Sequence, residues 1–590
     1  MQKIKIPVPF FTLLAFLYVL PVLAADISFE EQLRERIETA LGGTPLIVDR
    51  RTLHAQQALV KHYSDYLFKP VWSKNGQLTA QAYQLIETIT HADQQGLNPN
   101  NYHSSAIAEQ MRLLEHPLDQ TDRIKKLVDM DLLLSDAFLT YSSHLLQGQL
   151  NAETLTSKWE VARQAVNIIC SLADAVNLCS IDSMLEKLVP QHQGYRLLLK
   201  ALAEYRRIKD QGGWNRVSAG RKLLPGDVSP RVEQIRKRLA ATGDLDPEYN
   251  TESKVFDRPL EQAVKLYQRR NGLQVDGIVG RKTLAALNVP VESRIDQLLA
   301  NLERWRWMPA NLGSRYIMVN IAGFELFFVS GNRTVLKMPV VVGKTYRETP
   351  VFSGKMTYLV VNPSWNVPKS IAVNDKLPLI RKNPYYLQQH NMKLYQGWGA
   401  EAQEIDPLSV DWSRVNQNYF PYHIVQSPGP QNALGKIKFM FPNKHNVYLH
   451  DTSEPWLFNK TERSFSSGCI RVGKPYALAD YVLENNTRLD RSAILAIINQ
   501  PEQKIISLRN PIPVHILYWT AWVDENGAVN FRKDLYGRDE ELIRALRHMS
   551  SSAEYLIASR SEVTAEADNA GRSFPEQTAL DDTVENKLNR

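Results

Sequence analysis

From about residue 27 to 220 apolar positions recur at three- and four-residue intervals, as in Leu127, Val128, Met130, Leu132, Leu133, Leu134, Ala137 and Phe138. That spacing puts them on one side of a 3.6-residue helix, and β-branched runs are scarce, so an all-helical region is expected. Its histidines, His54, His62, His91, His103, His116 and His144, are scattered without metal-ligand spacing, and the region reads as scaffold. Between 226 and 290 the pattern shortens. Val232, Ile235 and Leu239 mark one short helix, Ala263, Val264 and Tyr267 a second, and Thr283, Leu284 and Leu287 a third, with Asp276, Gly277 and Gly280 where tight turns are needed before the last. An amphipathic segment from near Ile295 ends in Arg304-Trp305-Arg306-Trp307, which reads as a helix end packing its tryptophans.

From Tyr316 the period becomes two. Tyr316 to Ile321, Glu325 to Val329 and Lys337 to Val342 are short strands bounded by Gly and Asn turns, and strands resume at Ile437 to Phe441 and Asn446 to His450. Between about Leu377 and Tyr422 the run is broken by a stretch rich in Asn, Gln, Tyr and Trp, which suits a lid or cap over a binding face. After Pro501, the segment Ile512 to Trp519 and the turn Asp524 to Gly527 predict a closing hairpin, followed by a helix around Arg538 to Met549. The tail from Ser550 is rich in Ser, Glu, Asp and Ala with scarcely any apolar clustering, and disorder is expected there. The fold class is therefore multidomain α+β: a helical domain over 27–225, a small three-helix domain over 226–290, a linker helix over 291–315, a β-rich domain over 316–500 with the cap insertion, and a hairpin and helix over 501–549 that complete the scaffold.

Composition narrows the class. At 590 residues the chain has room for three or four compact units, and 44% hydrophobic with 23% charged residues excludes both a disordered chain and a multi-span membrane protein. Lys3 and Lys5 precede an apolar run from Pro7 to Leu23 ending in small residues, the pattern of a secretory signal peptide cut after Ala24; an uncleaved anchor is the alternative. Losing the two leader lysines takes the formal charge from +7 to +5, modest for this size. With the single basic stripe assigned to a helix end, nucleic acid is not expected as a partner, whereas a polyanionic wall or anionic lipid surface suits the balance. Only three cysteines occur: Cys170 and Cys179, nine apart, suit either a local disulfide or two buried apolar positions, and Cys469 stands alone.

That lone thiol sits in the densest chemical signal, Tyr448-Leu449-His450-Asp451-Thr452 followed by Phe465-Ser466-Ser467-Gly468-Cys469-Ile470-Arg471-Val472. A cysteine attacks a carbonyl as thiolate, and a histidine is the usual means of ionising it. If 446–450 is extended, Tyr448 and His450 share a face while Asp451 points elsewhere, so a backbone carbonyl is a better orienting partner for His450 than Asp451. Wherever 467–471 is extended, Ser467, Cys469 and Arg471 line one face, and Gly468 admits close approach of substrate. A thiol, a base, a guanidinium for a substrate carboxylate and backbone N–H groups near 468 and 469 for an oxyanion make an acyl-transfer set.

His450 and Ser467-Gly468-Cys469-Ile470-Arg471 resemble the signature of the YkuD-type L,D-transpeptidase catalytic domain. Ser467 stands where that family usually has histidine, a departure shared with the larger YcbB-type members. These members also resemble this chain in the helical scaffold, the Asp-Gly-x-x-Gly peptidoglycan-binding domain, the cap and the segment Asn362 to Pro368. The resemblance implies Cys469 as nucleophile and His450 as general base and acid, with Tyr448, Ser467, Gly468, Arg471 and Trp365 binding donor peptide or oxyanion. It implies peptidoglycan stem peptides and glycan as partners, with other wall-synthesis proteins also conceivable, acylation by carbapenems, no metal or organic cofactor, and 3-3 cross-links between diaminopimelate residues in the periplasm. An L,D-carboxypeptidase or wall-linkage hydrolase using the same cysteine, and a non-catalytic wall-binding scaffold, are the alternatives.

Overall fold

The computed structural model describes residues 28–155, 159, 180–487, 489 and 491–549. The leader, Cys170, Cys179 and the tail from Ser550 lie outside them. No helix among the described residues is long and apolar enough to cross a membrane.

The helical region is built around Gln120–Gln147, capped by Asp119 through the Asp122 N–H and buried almost without interruption from Leu127 on. A helix buried on all sides must be central, and others pack around it: Phe29–Leu41, Gln56–Asp65, Ala80–Thr90, Ser104–Glu115 and Ile181–Leu188. The region is not purely helical: two ribbons join it, β1 (Ile47–Val48) with β2 (Arg51–Thr52) and β3 (Ser73–Lys74) with β4 (Gln77–Leu78). The three short helices are Pro230–Ala240, Arg258–Arg270 and Arg281–Leu287, around a core including Val232, Ile235, Tyr267 and Leu287. Of the two turn glycines, Gly277 needs its freedom, with φ +74°; Gly280 has φ −87° and simply begins the last helix.

Helix Val291–Arg306 is more than a linker. It packs against Gln193–Asp210 and buries Trp305, and Trp307 just beyond its end, together with Arg304 and Arg306, whose charges meet Asp539 and Glu303. Desolvated guanidinium groups persist because each has a carboxylate.

The β-rich domain is a sheet curled on itself. Its strands are β5 (Arg315–Asn320), β6 (Glu325–Ser330), β7 (Arg333–Gly343), β8 (Phe352–Val361), β13 (Ile437–Met440), β14 (Leu449–His450), β15 (Ser464–Ser466), β16 (Ile470–Val472) and β17 (Lys504–Leu517), in the order β15-β7-β16-β14-β13-β8-β17-β5-β6. Strand β7 pairs with β6 along its first part and with β16 near its end, so the two edges meet. Strand β17 corrects the expected boundary near 500: it lies between β8 and β5 at the centre of this sheet. The hairpin that follows, β18 (Ala521–Val523) and β19 (Val529–Phe531), joins the core beneath Val291–Arg306, and the last helix is Arg538–His548.

The insertion is a folded unit rather than a loop, and it is wider than 377–422. Strands β9 (Trp365–Val367), β10 (Met392–Gln396), β11 (Gln403–Ile405) and β12 (Tyr422–Gln426) form a second sheet in the order β11-β10-β12-β9, with a core from Trp365 to Leu434.

Candidate active site

Period-two alternation divides the catalytic sheet into two faces. Ile437, Phe439, Leu449, Ile470 and Val472 enter the main core. The residues between and beside them, Lys438, Tyr448, His450, Cys469 and Arg471, therefore emerge on the opposite face, where Tyr448 packs against the core of the cap. Register completes the grouping: Lys438 stands opposite His450 across β13 and β14, and His450 opposite Arg471 across the parallel pair β14 and β16. Opposite residues share a face and touch, so three strands deliver one row.

Cys469 is half-buried, and its thiol donates to the carbonyl of Asn446 at 3.8 Å. That carbonyl is held by a tight turn in which Asn443 Oδ1 accepts from the His445 and Val447 N–H groups and Asn443 Nδ2 donates to Phe441 O and Val447 O. Burial pushes the thiol up from its ordinary range; hydrogen bonds from the Tyr448 N–H and hydroxyl, and then the charge of Lys438, pull it back. The hydroxyl in turn accepts from Trp365, and Lys438 Nζ lies 4.0 Å from the centre of the Tyr448 ring.

His450 is buried and its Nδ1–H donates to the backbone carbonyl of Asp451 at 2.6 Å. A carbonyl can only accept, which fixes the proton on Nδ1 and leaves the lone pair on Nε2. The Asp451 carboxylate is spent elsewhere, on the N–H groups of Lys436 and Thr452, and it packs where a side chain on Gly435 (φ +62°) would have to be. Burial first, then the Arg471 guanidinium, pulls His450 down to about 3, so its imidazole is neutral at physiological pH.

Three sequence expectations change. The chain bends at 467–469, so Ser467 leaves the row of Cys469 and Arg471; exposed, its hydroxyl accepts from Arg347 Nη1 at 2.9 Å. Gly468 has φ +119°, which glycine tolerates, but its N–H donates to Ser466 Oγ at 3.1 Å, leaving the Cys469 N–H as the nearby backbone donor for an oxyanion. Arg471 is not an open carboxylate clamp: its Nη1 is paired with Glu454 at 2.5 Å. Trp365 belongs both to the core of the cap and to the site, through its hydrogen bond to Tyr448.

Several supporting residues were not foreseen. Arg347 binds Asp375 of the cap through both terminal nitrogens while holding Ser467, tying the cap to the turn before Cys469. Thr349, fully buried, donates to Gly468 O at 2.8 Å, and its own carbonyl accepts from Arg538, so the C-terminal segment braces the same turn. The signal for Lys438 was present in the alternation Ile437-Lys438-Phe439, which places it opposite the core; for Arg347, Glu454 and Asp375 no local signal exists.

Among the described residues, His54, His103 and Asp136 of the scaffold are the group close enough to suggest a metal ion. His103 Nε2 lies 2.6 Å from Asp136 Oδ2, a hydrogen-bond distance rather than the spacing of about 3.3 Å between two ligands on one tetrahedral ion. It is a buried, hydrogen-bonded pair.

Residues 314–495 match the family model of the L,D-transpeptidase catalytic domain (YkuD). The chain carries an L,D-transpeptidase catalytic domain. Residues 57–202 match the scaffold domain model and 228–287 that of a "Putative peptidoglycan binding domain". A curated relative, "Putative L,D-transpeptidase" of Haemophilus influenzae, is 36% identical over 268 residues, 45% of this chain and 53% of that protein. The N-acetylmuramoyl-L-alanine amidase CwlM of Mycobacterium tuberculosis is 43% identical over 75 residues, 12% of this chain and 18% of its own. The chain thus spans about half the length of the first relative and less of the second. Among solved structures, an L,D-transpeptidase from Stackebrandtia nassauensis is 13% identical with a TM-score of 0.19, covering 51% of this chain and 96% of its own, a superposition too weak to bear on the fold.

Proposed function

We propose that the protein is a peptidoglycan L,D-transpeptidase that forms 3-3 cross-links through a thioester on Cys469. The observation that carries this reading is the shared face: a thiol hydrogen-bonded by Tyr448, a histidine whose tautomer leaves Nε2 free to accept a proton, and a guanidinium, all beneath a cap. In this reading Cys469 Sγ attacks the carbonyl of the L,D-bond after diaminopimelate in a tetrapeptide donor. Its proton passes to His450 Nε2 and then to the departing D-alanine amine. The Cys469 N–H faces the developing oxyanion, and the edge of Arg471 not taken by Glu454 orients the donor carboxylate. The side-chain amine of a second diaminopimelate, deprotonated by His450, resolves the thioester. The small domain over 228–287 holds the enzyme on the wall, the N-terminal segment directs it to the periplasm, and carbapenems acylate Cys469.

The test is incubation of purified protein with disaccharide tetrapeptide and mass spectrometry of the products. A cross-linked dimer with loss of one D-alanine is expected. Tripeptide without dimer would establish a carboxypeptidase instead, and unreacted tetrapeptide, with no meropenem adduct sensitive to Cys469→Ala, a non-catalytic scaffold.

A further inference from the structure

The proposed chemistry needs a thiolate, and a buried thiolate needs a positive charge. His450 is the customary candidate, yet it is neutral at physiological pH: its Nδ1–H is committed to a carbonyl, it is buried, and it has the Arg471 cation opposite it. Arg471 is itself paired with Glu454. Arg347, beside Ser467, is neutralised by Asp375. From the cap, Trp365 brings no charge. Lys376 of the cap lies 5.7 Å from the centre of the Trp365 ring and donates to the Tyr386 hydroxyl; among the described residues, Lys438 is the cation whose charge acts on the thiol.

We infer that Lys438, rather than His450, is the counter-charge of the Cys469 thiolate, acting as a positioning residue for the nucleophile. Its place is fixed by the strand: Ile437 and Phe439 are fully buried in the main core, so Lys438 must emerge toward the site, opposite His450. Its ammonium lies 4.0 Å from the centre of the Tyr448 ring, and that same tyrosine donates to the thiol through its hydroxyl and its N–H. Among the described residues no carboxylate or hydrogen-bond acceptor pairs with the ammonium, so its charge is not cancelled locally, and it is half-buried, where screening by water is weak. Burial lowers the lysine while the Cys469 charge raises it, the reciprocal of the effect of Lys438 on the thiol.

The division of labour follows. The S–H bond breaks with its proton going to His450 Nε2, which is cationic only until it passes that proton on, and its electron pair remains on sulfur beside the permanent charge of the Lys438 ammonium. The S–C bond then forms as the C–N bond to the departing amine breaks, and His450 returns the proton to that amine. Lysine never gives up its proton; it makes the charged sulfur less costly.

This inference rests on Cys469 being the nucleophile, but its test does not require cross-linking. The rate of iodoacetamide alkylation at the Cys469 peptide, resolved from Cys170 and Cys179 by mass spectrometry, is measured against pH for the full chain. Lys438→Met is expected to raise the titration midpoint by about one unit, roughly tenfold less thiolate at pH 7, and Lys438→Arg to restore most of it. His450→Asn should move the midpoint far less while still lowering turnover. A Lys438→Met protein that titrates like wild type, an arginine variant no better than the methionine one, or a larger shift on removing His450 than on removing Lys438 would each overturn the inference. If Lys438→Met does not fold, Lys438→Gln gives the same reading. A shifted midpoint without any cross-linked product would leave the role of Lys438 standing and remove the transpeptidase reading.

Discussion

Two places in this molecule press a buried histidine against a hydrogen-bond partner, and they put it to opposite uses. In the scaffold, His103 meets the fully buried Asp136, whose other oxygen accepts from the Ala55 N–H at 2.6 Å; every strong bond is made and the site is closed. Burial pushes Asp136 up, but the His103 hydrogen bond and charge outweigh it and hold the carboxyl below its ordinary value. In the catalytic sheet, His450 meets a carbonyl instead of a carboxylate, is pushed down to about 3, and keeps the lone pair on Nε2. A carboxylate partner ties the histidine into the fold. A carbonyl partner makes it a neutral base.

The widest separation between the two sites should come from deleting their centres. Cys469→Ala is expected to remove product formation by at least about a thousandfold, measured by mass spectrometry of muropeptides, with the urea unfolding midpoint unchanged. Next, His450→Gln should cost about a hundred- to ten-thousandfold in turnover, again with folding intact. Asp136→Ala inverts that result: leaving His103 buried without its anion should destabilise the scaffold by about 3–5 kcal/mol in urea unfolding, while Cys469 alkylation in the folded protein keeps its wild-type rate. Equal loss of turnover and stability in both variants would erase the distinction.

The pH dependence sharpens the comparison further. Because burial raises the thiol, the thiolate fraction grows as pH rises through 7 to 9, so alkylation should climb steadily. Because His450 is held near 3, it stays neutral throughout, and no inflection is expected around 6.5. An inflection there would mean a thiolate–imidazolium pair. The smallest effect belongs to the cap tether: Arg347→Ala should reduce turnover by at most about fivefold, roughly 1 kcal/mol, because the Asp375 partner is partly exposed.

Much of this was legible locally. The period change at Tyr316 marked the catalytic domain, and alternation alone placed Tyr448 with His450 and turned Asp451 away. What alternation could not supply was long-range pairing. Strand β17 enters the sheet beside β8 and β5, far away in sequence, so 501–549 read as a separate closing unit. His54 lies in the bend before Gln56–Asp65, His103 at the start of Ser104–Glu115 and Asp136 within Gln120–Gln147, and their meeting leaves no spacing to read. Ser467 was misplaced because a single positive-φ glycine, Gly468, ends the extended run that the row had assumed. The cap read as a lid loop because its polar, aromatic stretch hides a sheet that begins earlier, at Trp365.

The central claim, that Cys469 carries the acyl group, is tested most directly by rapidly quenching the protein with excess disaccharide tetrapeptide and mapping the covalent adduct by peptide mass spectrometry. The account predicts an adduct on the Cys469 peptide with the mass of the donor less D-alanine, discharged on adding an acceptor amine and absent in Cys469→Ala. Turnover of the donor by the Cys469→Ala protein, or an adduct on any other residue, would contradict it.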